Sequence, residues 1–379
     1  MPAPTAVSET APTQPAANVS ELLATGRTGN EKLAPELLGL GRWINSDELT
    51  LAEQRGNVVL IDFWTYTCIN CIRTFPSLRE WHEKYAGQGL VIIGVHTPEF
   101  EFEKIYENVV SAAAEHGLDY AIVQDNDFQT WRAFENQFWP AKYMIDKDGY
   151  IRYTHFGEGD YAETEAKIRE LLAETGSDVA AIAAGESAEL QRDKRAYSSE
   201  DPFDNQTREL YGGASRNYGA LNSGTTAPYV YHQEYYRAPD VDLEYEDPGD
   251  HRNHFIYLQG PWHNGLEELV HARETENYED YIVVKFSAVE VNVVMSADAD
   301  EPYEVRVTLD DNPLEPEQAG SDIMFDEDGN SFVLVAASDM YRVVQLPEYG
   351  SHKLKLSSNS SRFAMFAYTF GSYIEEPGP

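Results

Sequence analysis

At 379 residues the chain is too long for one ordinary domain and suits two. Its 65 acidic against 28 basic residues leave a net charge of -37, which argues against nucleic acid and anionic membrane surfaces as partners. The mean hydropathy of -0.49 predicts a soluble protein, and no apolar run reaches the roughly 20 residues of a membrane helix.

Residues 1–30, rich in Ala, Pro, Thr and Ser, read as a flexible lead-in, and Met1-Pro2-Ala3-Pro4 opens without the basic and apolar regions of a signal peptide. An α/β domain is expected over 31–176. Residues 57–64 (NVVLIDFW) are almost wholly apolar, as in a strand buried on both faces. Phe75, Leu78, His82 and Tyr85 recur at helical spacing. A second buried strand follows over 90–95, then a helix over 102–116 stopped by Gly117 and a helical stretch over 128–138. Strands over 142–145 and 150–156 turn at Asp146-Lys147-Asp148-Gly149, and a helix over 162–174 closes the unit. A polar, Ala-rich linker with some helix is expected over 177–205. From 206 to 376 short strands succeed one another, at 281–286, 289–295, 305–309, 332–336, 341–346 and 363–370, and predict an all-β sandwich of jelly-roll type.

Only two cysteines are present, Cys68 and Cys71, too few for a disulfide scaffold and spaced for chemistry. They follow a buried strand and open a helix. Unpaired N–H groups at that helix start stabilise a thiolate, so Cys68 is the expected nucleophile and Cys71 the resolving thiol. Asp62 stands in the middle of the apolar strand, where a carboxylate is costly without a role. Desolvation there raises its pKa and suits it to move a proton to or from Cys71.

The segment from Asp62 to Cys71, with Pro76 beyond it, resembles the active-site segment of thioredoxins. The resemblance implies a buried aspartate at Asp62, a helix-kinking proline at Pro76, and a cis-proline loop at Trp139-Pro140-Ala141, with Trp64, Trp139 and Pro140 shaping the substrate groove. The extra strand–helix unit near 90–118 is similar to the insertion of the TlpA and ResA branch, in which Glu99 falls where a glutamate tunes the thiols. WTYTCINCIRTFP, GVHTPEF and the segment His155 to Tyr161 together resemble the soluble C-terminal part of DipZ proteins, which join a thioredoxin-like domain to a β domain like a carbohydrate-binding module. That resemblance implies an extracytoplasmic site, whereas the missing signal favours the cytoplasm. It also implies an upstream thiol electron donor, such as a CcdA-like membrane protein, and a glycan as a candidate ligand of the β domain.

Other readings compete. Two cysteines are half a zinc site, and no histidine spacing completes it, so no metal is expected. Thr65 precedes Cys68 by three residues as in peroxiredoxins, which keeps a thiol peroxidase as an alternative. The loops at 146–149 and 326–329 lack the full ligand pattern of a calcium loop and read as turns. Trp262, Tyr229, Tyr231, Tyr235 and Tyr236 are candidates for a sugar-binding face, though core packing accounts for each singly. A pure binding module with a structural CxxC is the rival from another class. The expectation is a thiol–disulfide oxidoreductase acting on protein or small-thiol disulfides, with no dissociable cofactor because the electrons reside in the Cys68–Cys71 pair.

Overall fold

The computed structural model describes residues 31–185, 191–199, 205–224, 226–297 and 301–374. The expected lead-in lies outside the described residues, as do 186–190 and 200–204 of the expected linker. In chain order the first half contains β1 (Trp43–Ile44), β2 (Val58–Trp64), α1 (Ile69–Ile72), α2 (Phe75–Tyr85), β3 (Leu90–His96), α3 (Tyr106–Glu115), β4 (Ala121–Gln124), α4 (Gln129–Ala133), β5 (Ala141–Ile145), β6 (Ile151–Phe156) and α5 (Tyr161–Thr175). The six strands form one sheet in the order β1-β4-β3-β2-β5-β6. β2 is parallel to β3, and β3 to β4, while β5 and β6 run antiparallel on the other side.

Every residue of β2 is buried, as its unbroken apolar run requires of a central strand. Its side chains alternate between two cores. Val58, Leu60 and Trp64 join Leu78, Trp81, Ile168 and Leu172 on one face. Val59, Ile61 and Phe63 join Ile93, Val123 and Trp131 on the other. Gly94 of β3 is the position where β2 and β3 allow no side chain. A Cβ there would lie 2.9 Å from Trp64 Nε1 and 3.1 Å from the Tyr120 ring.

Two expected helices come out shorter. The stretch at 102–116 begins as a 3-10 turn, Glu101–Lys104, and α3 starts only at Tyr106. The Glu103 carboxylate turns back to accept the N–H groups of Glu99 and Phe100, closing that turn, and Ile105 then runs extended. α4 stops at Ala133, before Glu135 takes a positive φ of 54°.

The second half contains β7 (Gln191–Arg192), β8 (Leu210–Tyr211), α6 (Ala214–Ser223), β9 (Asp242–Tyr245), β10 (Ile256–Asn264), β11 (Leu269–His271), β12 (Tyr281–Ser296), β13 (Tyr303–Leu309), β14 (Asn312–Pro313), β15 (Met324–Phe325), β16 (Ser331–Val335), β17 (Asp339–Ser357), β18 (Ala364–Gly371) and β19 (Tyr373–Ile374). The two strands expected at 281–286 and 289–295 are one strand, β12, with a bulge after Ala288. They fuse because β17 runs beside both halves, from Tyr281 opposite Ser357 to Met295 opposite Asp339. The first half of β12 pairs with β10 and the second with β18, and β10–β11–β18 closes the ring. Eleven of these strands, β8 to β18, therefore form one antiparallel sheet folded over one apolar core, and β7 pairs with β19 in a separate two-stranded sheet.

β18 is buried at all eight positions. Met365, Tyr368 and Phe370 enter the β core. Ala364, Phe366 and Ala367 instead join Ile69 and Phe100 of the first half in a shared apolar cluster. Phe366 is the extra residue of a bulge, since Met365 pairs with Met295 and Ala367 with Val294. Its ring meets Phe100 and Phe102 at 5.2 and 4.9 Å between centroids, both edge-on. Among the described residues no helix is long and apolar enough to cross a membrane.

Phe366→Ala should lower the unfolding free energy by about 3 kcal/mol, the usual cost of emptying a buried aromatic site. Urea unfolding followed by tryptophan fluorescence and far-UV circular dichroism measures it, and an unchanged midpoint would mean that this seam contributes little to stability.

Candidate active site

Cys68 caps the N-terminus of α1 with extended backbone, φ -86° and ψ 107°. Its sulfur accepts a hydrogen bond from the Cys71 N–H at 3.3 Å. Cys68 is partly exposed, whereas Cys71 is wholly buried, and both are free thiols. α1 ends after one turn, and α2 restarts with Pro76 in its first turn, where a missing N–H costs nothing. The loop before Cys68 is held from behind by Glu103, wholly buried, whose carboxylate accepts from the Thr67 hydroxyl at 2.6 Å. The same carboxylate takes the Glu99 and Phe100 amides, so one side chain ties the two loops that flank the thiol.

The alternation of β2 puts Asp62 on the face of Leu60 and Trp64, the face that also buries Cys71. Asp62 pairs in register with Lys142 of β5, whose neighbour Met144, two residues on, lies in the same core. The Lys142 ammonium lies 3.5 Å from the Asp62 carboxylate, and both side chains are excluded from water. Burial pushes the Asp62 carboxyl up to about 6, and Lys142 holds it from rising further. Burial likewise pushes the Cys71 thiol well up, and the neighbouring Cys68 and the Asp62 charge add to it. The buried Tyr120 phenol feels both Asp62 and Cys71, and its pKa is also raised, chiefly by burial. A buried thiol that resists ionisation and a buried carboxyl raised to about 6 therefore share one core.

Thr65 turns its side chain toward His96. It is buried, with its hydroxyl 3.3 Å from His96 Nε2, and desolvation lowers that imidazole to about 3. Trp139 and Pro140 are joined by a cis peptide bond. The Trp139 ring packs on Trp131 with centroids 4.3 Å apart, and its Nε1 donates to the Thr97 carbonyl at 3.0 Å. Trp64 departs from the expected groove. It is fully buried against Phe75 and His96, because as the last residue of β2 it points into the core.

Glu99 faces the second half of the molecule. It accepts from Arg216 at 2.6 Å and from the Tyr211 hydroxyl at 3.1 Å. Burial pushes its carboxyl up to about 7, against the pull of Arg216. Trp139, Glu99 and Cys68 from one side, with Tyr211, Glu209 and Thr369 from the other, line a cavity of about 70 Å³. Of the aromatic residues considered for a sugar face, Trp262 and Tyr235 are fully buried in the β core, Tyr229 and Tyr236 pack against it, and Tyr231 is 47% exposed. Of the five only Trp262 lies in a strand, β10, and Tyr235 and Tyr236 lie in a 3-10 turn, Gln233–Arg237. Among the described residues no group of three or more His, Cys, Asp or Glu is placed to hold a metal ion.

Lys142, Glu103, Tyr211 and Arg216 belong to the site without having been read from the sequence. Lys142 carried a signal, a cation inside an apolar strand directly after the Trp-Pro-Ala loop. The others act through pairings distant in sequence.

A parallel-centred sheet with a helix-opening dithiol beside a cis-proline is the arrangement of the thioredoxin-like proteins. Residues 35–154 match the AhpC/TSA family, and residues 207–371 match the family described as thioredoxin like C-terminal domain. Over 142 residues, 37% of this chain, the sequence is 34% identical to the thiol-disulfide oxidoreductase YkuV of Bacillus subtilis and covers 95% of it. With YkuV, the chain belongs to the thioredoxin-like thiol-disulfide oxidoreductases. It is also 48% identical over 142 residues to Protein DipZ of Mycobacterium bovis, a match that spans 20% of DipZ. A solution structure of a thioredoxin-like protein in the oxidized form aligns with 38% of this chain and 97% of its own, at 32% identity and a TM-score of 0.36.

The raised carboxyls set a pH dependence. Unfolded carboxyls titrate near 4, whereas Asp62 and Glu99 titrate at about 6 and about 7 in the fold. Between those values the folded protein binds more protons than the unfolded chain, so their stabilising effect is complete below about 4 and is lost as pH rises through the folded values. Urea unfolding at a series of pH values should show stability falling from pH 4.5 to 7.5, with Glu99→Gln flattening the upper part of that slope. Separately, Lys142→Met should move the Asp62 carboxyl titration, followed by carbon NMR, to higher pH.

Proposed function

We propose that this protein reduces disulfides through the Cys68–Cys71 dithiol. The observation that carries this reading is the pair itself: an accessible Cys68 at a helix start, and a buried Cys71 beside the buried Asp62. The Cys68 thiolate attacks one sulfur of the substrate disulfide, and the other half leaves as a thiolate that takes up a proton. Asp62, in its carboxylate form, receives the Cys71 proton, and Cys71 attacks the mixed disulfide at Cys68 Sγ. The second half leaves as a thiol, two electrons have passed to the substrate, and Cys68 and Cys71 are joined. Trp139 and Pro140 form the wall against which the substrate disulfide lies. An upstream dithiol restores the pair, and a CcdA-like membrane protein is one donor of that chemistry.

Equilibration of the pair in defined thiol buffers should give a reversible two-electron transition near about -270 mV, the range of reducing thioredoxins, rather than about -120 mV, that of the oxidant DsbA. Cys68→Ser should abolish turnover. Cys71→Ser should trap a mixed disulfide that mass spectrometry detects. A pair with no reversible transition would overturn the assignment.

A further inference from the structure

The partly exposed Cys68 opens into a narrow crevice. The wall opposite Trp139 is built by Tyr211, Glu209, Val294, Ala367 and Thr369 of the β domain. A second cavity, about 150 Å³, shares Ile69, Asn70, Glu209 and Thr369 with the first and continues along the seam between the domains. Beside it the seam is locked. Phe366 sits against Phe100 and Phe102, Arg216 reaches across to Glu99, Arg73 pairs with Glu290, and the Tyr373 hydroxyl bonds Glu158. A disulfide on a folded protein must bring its own surface to Cys68, and here the β domain already occupies that face.

The walls also sort by charge. Two carboxylates, Glu99 and Glu209, line the cavity at the thiol. Glu99 has Arg216 as counter-ion at 2.6 Å. Glu209 is met by the Tyr211 hydroxyl at 3.0 Å, burial raises its carboxyl, and the Arg216 charge that pairs with Glu99 also acts on it, so two carboxylates share one cation. Arg73 and Arg192, farther along the seam, are already engaged by Glu290 and Glu158. The space beside Cys68 is thus short of positive charge, in a chain whose net charge is -37. In a narrow crevice such a field acts more strongly than on open surface.

We propose that the substrate taken at Cys68 is a low-molecular-mass disulfide with an ammonium group near its sulfur, and not the disulfide of a folded protein. This rests on the exchange reading above. The chemistry is unchanged: the small disulfide becomes two thiols, the protein pair becomes Cys68–Cys71, and Glu209 receives the ammonium group while the bond is exchanged. Glu209 acts as a specificity residue, and the β domain as the part that narrows the entrance.

The test is single-turnover oxidation of the pre-reduced full chain by cystamine, by 3,3′-dithiodipropionate and by insulin, followed by alkylation and mass spectrometry. Each rate is divided by that of the same disulfide with 2-mercaptoethanol. Cystamine should react at least about tenfold faster than dithiodipropionate, which differs chiefly in carrying carboxylates, and insulin should be slower than cystamine by a similar factor. Glu209→Gln should shrink the first ratio several-fold, and Phe366→Ala should raise the insulin rate by loosening the seam. Equal rates for cystamine and dithiodipropionate, or insulin as fast as cystamine, would overturn the proposal and leave the exchange reading standing. A dithiol that reacts with none of the three would instead overturn the exchange reading, and this proposal with it.

Discussion

The seating of Phe366 edge-on against the stacked rings of Phe100 and Phe102 governs how the two halves of this molecule meet. It depends on one extra residue in β18, a bulge that turns a side chain out of the β core and toward the neighbouring domain. With that contact in place, the corner formed by β8 and α6 falls over the thiol. Tyr211 and Arg216 then reach Glu99, and the open face of a thioredoxin-like fold becomes one wall of a crevice. The apolar seam supplies the binding energy, because burying aromatic surface is favourable without regard to direction. The polar pairs around it supply the orientation, because hydrogen bonds and ion pairs weaken steeply when misaligned.

Beneath the thiols lies a second constraint of opposite character. Asp62 and Lys142 are both excluded from water, and a buried ion pair recovers its desolvation cost only with good geometry and further hydrogen bonds. At 3.5 Å, with no other hydrogen-bond partner for either side chain among the described residues, this pair falls short of that condition. A carboxyl raised to about 6 is the consequence. A better-solvated aspartate would hold its charge at every working pH and would be a weaker base toward a buried thiol.

The acidity of the chain has a comparable double meaning. Most of its carboxylates are surface charge, and some are built into structure, as Glu103 is where it ties the loops flanking Cys68. Glu99 and Glu209 are different because they border the reactive sulfur. The β domain therefore shapes both the steric and the electrostatic approach to Cys68. The aromatic residues that drew attention in the sequence, Trp262 and Tyr235 among them, are core residues of that domain.

The sequence by itself determined the dithiol and four of the six strands of the first sheet, all but β1 and β4. The unbroken apolar run of β2, the cysteine pair behind it and the stranded Asp62 are local signals, and local signals survive without knowledge of the fold. Strand alternation even assigns Asp62 to the face of Leu60 and Trp64. Helix ends were less legible: Glu103 decided the start of α3 by bonding backward, a choice that competes with helix propagation and leaves no periodic trace. What only the tertiary structure decided was everything that depends on contacts between distant residues. Lys142 reaches Asp62 through an antiparallel register, β12 is one strand because β17 accompanies both its halves, and Trp64 is removed from the groove by pointing into the core. The covering of Cys68 by Tyr211 and Glu209 belongs to the same class. It arises where two separately patterned surfaces meet, and the pattern within either one carries no information about the register of their contact.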